Sequence, residues 1–81
     1  MNFKKLWRRL DAVDRVIFLR VNAQLLEHYD VDIAGQAVKR MRYLLTSGKI
    51  TINEFSMLYR YIVCHTVVTG ETLEDYVGRC A

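Results

Sequence analysis

Apolar side chains along this chain return mostly every three or four positions, with no sustained two-residue alternation, so helices are predicted from end to end. The clearest stripe is Ile33, Ala34, Ala37, Val38, Met41, Leu44 and Leu45, with Asp30 and Asp32 at its start, where a helix wants acceptors and negative charge. Ser47-Gly48 follows, and Gly48 can take the left-handed conformation that stops a helix. Thr51 and Glu54 then fit a capping box opening a second helix, with Phe55, Met57, Leu58, Tyr59, Tyr61, Ile62, Val63, Val67 and Val68. These cover more than one face, so this is expected to be the most buried helix. Two helices joined so briefly must be neighbours, which predicts an αα-hairpin over about 32–68 around which the rest is organised.

The flanks follow the same logic. Phe3, Leu6, Trp7 and Leu10 form the apolar side of a short helix whose other side carries Lys4, Lys5, Arg8 and Arg9, with Asn2 as its cap. Val13, Val16, Ile17, Phe18, Leu19, Val21, Leu25 and Leu26 mark another helix, running to about Tyr29. No Gly or Pro separates the two, so one bent helix competes with two; a break near 10–12 is expected, with Asp11 and Asp14 as an imperfect capping box. Thr69-Gly70 ends the second arm of the hairpin, and Thr72 with Asp75 caps a last helix that packs Leu73, Tyr76 and Val77 inward. The fold class is therefore all-α: a bundle of four to five helices in a single domain over 1–81.

Composition narrows the class. With 52% hydrophobic and 26% charged residues and no Pro, the chain reads as a folded domain, not a disordered one. No apolar run approaches the roughly 20 residues of a membrane span. The basic start lacks the apolar block and cleavage site of a signal peptide. Cys64 and Cys80 follow no metal or redox spacing and are read as reduced thiols, which points to a cytoplasmic location.

Candidate chemistry is sparse. Gly48-Lys49-Ile50-Thr51-Ile52-Asn53-Glu54-Phe55 resembles the closing half of an EF-hand loop. The calcium-ligand places ahead of the Gly fall on Tyr43 and Leu45, leaving oxygen only at Ser47, so the resemblance stops at shared helix-start chemistry. A DNA-reading helix-turn-helix wants an apolar residue after the Gly and polar residues early in its second helix; here stand Lys49, then Ile52, Phe55, Met57 and Leu58. Cys64 and His65 are adjacent and project about 100° apart on a helix, so they make no dyad. No phosphate loop or ligand spacing is present, and neither catalysis, metal nor cofactor is expected.

Charge adds the last constraint. The net charge of +3 gathers at Lys4, Lys5, Arg8 and Arg9 and again at Lys39, Arg40 and Arg42, while residues 11–38 are acidic overall. By elimination the expectation is a small intracellular accessory or regulatory protein that binds another protein. An inhibitor or adaptor of the kind phages encode fits, capping a host factor or the cytoplasmic part of a membrane protein. Its expected contact residues are Lys4, Lys5, Trp7, Arg8, Arg9, Lys39, Arg40, Arg42, Tyr43 and Tyr61. Self-association, contact of residues 3–10 with a membrane surface, and nucleic-acid binding through the two basic clusters are the other readings.

Overall fold

A computed structural model of the chain describes residues 3–79; the expected cap Asn2 and the thiol Cys80 lie outside them. Helix α1 spans Phe3–Arg9, α2 Ala12–Glu27 and α3 Val31–Thr46. Helix α4, Ile52–Tyr59, runs without interruption through a π-helical segment, Arg60–Cys64, into α5, His65–Thr69. Helix α6, Leu73–Arg79, is the last of the described elements. Counting the continuous rod from Ile52 to Thr69 as one, five helices and no strand are present among the described residues.

The stops and starts follow local rules. Gly48 and Gly70 both have φ 78°, and each ends a helix in the left-handed region. At the first turn the Lys49 amide donates to the Leu44 carbonyl at 2.9 Å, and the Gly48 amide to that of Leu45 at 3.1 Å. The Asp30 side chain accepts from the Asp32 amide, and Thr51 and Glu54 form both hydrogen bonds of the capping box. Thr72 accepts from the Asp75 amide at 3.1 Å to start α6. The break after α1 falls at Leu10 and Asp11.

The expected hairpin of α3 and the rod from Ile52 is present, and α2 is the helix that joins it to the rest. Helix α3 packs more extensively along α2 than along α4, and α2 also touches the π segment, α5 and α6. Its inward face carries Phe18, Val21 and Leu25, together with two buried polar residues, Asp14 and Asn22. Asp14 does not cap α2; it turns inward to Arg40 of α3. Asn22 donates to the Ile62 carbonyl at 2.8 Å and to the Thr66 hydroxyl at 2.6 Å, and accepts from the Leu73 amide at 2.8 Å. One side chain thus bonds the π segment, α5 and the start of α6 to α2.

The rod from Ile52 to Thr69 is not buried on more than one face. Glu54, Leu58, Ile62, Val63 and Thr66 point inward, while Ile52, Tyr59, Val67 and Val68 are exposed. Four of the inward residues step by four, a spacing that drifts about 40° per step around a regular α-helix. A π turn closes i to i+5 and turns the chain less per residue, which keeps Ile62 and Thr66 facing α2.

Two substitutions test this account. A Cβ at position 48 would meet no other atom, so Gly48→Val isolates the backbone cost of φ 78°, about 1–2 kcal/mol in chemical denaturation. Asn22→Leu keeps the branched side-chain outline but strands the Leu73 amide and the Thr66 hydroxyl network, each costing about 1–3 kcal/mol; a melting temperature equal to the parent's would show that Asn22 does not hold the bundle.

Candidate functional site

The α1 segment is used internally. Phe3, Leu6, Trp7 and Leu10 all enter the core, so of the expected contact residues in this segment Trp7 is buried. Phe3 stacks on Trp7 with ring centroids 6.0 Å apart and meets Tyr61 and Tyr76 edge-on at 5.2 and 5.4 Å. Tyr61 and Tyr76 stack at 4.2 Å, which makes Tyr61 a half-buried member of an aromatic cluster joining α1, the π segment and α6. Arg9 forms a two-pronged ion pair with Glu54, at 2.7 and 2.9 Å, and donates to the Lys49 carbonyl at 3.2 Å. Glu54 is the same carboxylate that closes the capping box, at 2.9 Å from the Thr51 amide. The Arg9 guanidinium holds the Glu54 carboxyl below its usual range. Lys5 and Arg8 remain exposed.

The second basic cluster divides in the same way. Arg40 pairs with buried Asp14, whose other oxygen, Oδ2, is buried with no hydrogen-bond donor among the described residues. The Arg40 guanidinium also lies 4.8 Å over the Tyr43 ring. Lys39, Arg42 and Tyr43 are exposed.

The largest departure from expectation is on α2. Val13 is 65% exposed and Val16 53%, although both were expected in the apolar stripe. Burying Asp14 and Asn22 rotates α2 so that this pair faces outward, one helical step from half-buried Ile17. Beside them an open groove of about 340 Å³ runs between α2 and α3, lined by Ile17, Gln36, Lys39, Arg40 and Tyr43. Of these, sequence reasoning had singled out Lys39, Arg40 and Tyr43. It missed Val13 and Val16 as surface residues, because α2 is apolar on nearly every side and indicates no preferred face.

Comparison with protein-family models, curated proteins and solved structures finds no match for this chain.

The remaining polar cluster closes the C-terminal end. His65 Nε2 lies 2.7 Å from Glu71 Oε1, and Arg79 donates to both Glu71 oxygens at 2.9 and 3.0 Å. Arg79 first, then His65, pulls the Glu71 carboxyl down to about 2. Glu71 thus bridges His65 of α5 and Arg79 of α6, which docks α6 on the end of the rod. Among the described residues, His, Cys, Asp and Glu do not gather in a group of three that could hold a metal ion. No described helix is long and apolar enough to cross a membrane.

Acid should therefore loosen both ends of the bundle. Glu54 and Glu71 have folded pKa values below the usual 4.5, so the stability they add is present above that pH and is lost as pH falls through the folded values, toward about 2 for Glu71. Melting temperatures of the parent and Glu54→Gln are expected to differ at neutral pH and to converge as pH falls below the usual 4.5; a gap that stays constant in acid would contradict the Arg9–Glu54 clamp.

Proposed function

We propose that this chain is a small helical module that binds another protein, a regulatory or accessory factor of the inhibitor or adaptor type acting inside the cell. One observation carries the reading: α2 turns Asp14 and Asn22 inward and Val13 and Val16 outward. The burial of Asn22 is satisfied by its three hydrogen bonds, but leaving branched Val13 and Val16 close together in water is unfavourable in an isolated domain. It becomes reasonable when a partner covers the outer face. The groove next to that face is open and shallow, which suits a protruding side chain better than an enclosed substrate.

Nucleic-acid binding through the two basic clusters is less well supported. Arg9 and Arg40, two of the seven cations it would use, are engaged by Glu54 and Asp14. A membrane-surface role for residues 3–10 lacks its apolar side, since Phe3, Leu6, Trp7 and Leu10 lie in the protein's own core.

The test is affinity capture from lysate of the source cells with the parent chain and with Val16→Asp. Val16 is half exposed, so the variant should melt within a few degrees of the parent. A stoichiometric partner retained by the parent and lost by Val16→Asp is the expected result. A partner retained equally by both, or capture only of nucleic acid that salt removes, would overturn the reading.

A further inference from the structure

Resting on that reading, we infer that the occupant of the α2–α3 groove is an amphipathic helix whose flanks are acidic. Part of the lining is apolar: Ile17 and the Tyr43 ring line the groove, and Val13 lies one turn before Ile17 on the same side of α2. Val13, Val16 and Ile17 stand at i, i+3 and i+4, the spacing with which a helix offers a stripe to another helix. Two antiparallel helices with an open furrow between them take the apolar face of a third along their length.

The free charge beside this furrow is positive, since Asp11, whose charge reaches Arg40, pairs with Lys49 at 3.6 Å. Helix α3 carries no carboxylate after Asp32, and the half of α2 beside the groove, residues 12–20, has Asp14 alone, buried and committed to Arg40. Against this stand Lys39, which lines the groove, and Arg20, about one turn along α2 from Ile17, both exposed and without an ion pair among the described residues; Arg40 at the wall is spent on Asp14. A helix lying here is met by cations beside its apolar anchors, so carboxylates on its flanks are favoured and lysines or arginines are repelled. The concavity separates this occupant from a lipid surface, because a flat bilayer does not enter a furrow. A second copy of this chain does not supply the occupant either. Its acidic helix, α6, with Glu74 and Asp75, packs Leu73, Tyr76 and Val77 against its own core.

The experiment titrates the isotopically labelled chain with three probes. One is a synthetic amphipathic helix of Leu and Glu, one its Leu and Lys counterpart, and one a set of vesicles containing anionic lipid. The Leu–Glu helix is expected to bind, shifting the resonances of Ile17, Lys39 and Tyr43, while the Leu–Lys helix does not. Reversing charge in the double variant Arg20→Glu, Lys39→Glu, on exposed residues that leave the fold intact, should weaken binding roughly tenfold or more. Tyr43→Ala should weaken it without changing its salt dependence. Equal binding of the two helices, preference for the vesicles, or binding indifferent to the charge reversal would each overturn the inference. Capture with Val16→Asp reads whether the outer face of α2 engages a protein at all. A captured partner that docks there through a basic helix therefore defeats this inference and leaves the broader proposal standing.

Discussion

The bundle depends on the side chain of Asn22 being satisfied inside it. A primary amide in an apolar core is tolerated only when its donors and acceptor are all met. Here the partners are the Ile62 carbonyl, the Thr66 hydroxyl and the Leu73 amide, which belong to three successive segments of the C-terminal half. Thr66 in turn donates to the Glu71 carbonyl at 2.7 Å, which fixes the turn after Gly70. Apolar packing alone would allow α6 to slide along α2; these directional bonds select one position.

A second device operates at the opposite end with the same economy. Glu54 accepts from the Thr51 amide to start α4 and from the Arg9 guanidinium to hold α1. Helix initiation and long-range docking thus use one carboxylate, and the aromatic cluster of Phe3, Trp7, Tyr61 and Tyr76 completes the attachment of α1. With both ends tied to the rod from Ile52 to Thr69, α2 and α3 are left with an outer surface that nothing in the described chain covers.

Features governed by neighbours in sequence were readable before the structure. The left-handed stop at Gly48, the capping pairs at Thr51 and Thr72, and the apolar stripe of α1 each need only a few residues to be recognised. Asp14 and Asn22 were not readable in this way. Their partners lie 26 residues away for Asp14 and 40 to 51 for Asn22, and a polar residue on a helix that is apolar all round gives no sign of which way it faces. The outward position of Val13 and Val16 follows from theirs and was hidden with it. Spacing by four through Glu54, Leu58, Ile62 and Thr66 was the available trace of the π segment, since a regular helix keeps one face only by mixing steps of three and four. Of the contact residues expected from charge and aromaticity, Lys39, Arg40 and Tyr43 line the groove, whereas Trp7 and Arg9 belong to the fold.

The π segment also sets how this chain can change in length. A turn that closes i to i+5 holds one residue more than a regular one. Deleting a residue between Arg60 and Cys64 would restore an ordinary ladder. The steps from Glu54 through Leu58 and Ile62 to Thr66 would then include one of three among the fours, the mixture with which a regular helix holds one face. Thr66 would stay opposite Asn22, and α6 would keep its seat. A second deletion has no extra residue to draw on and would turn Thr66 away by about 100°. In any lineage that keeps this fold, the middle of the long rod can therefore shorten by one residue and no more, whereas the turns at 47–50 and 70–72 are freer to vary in length.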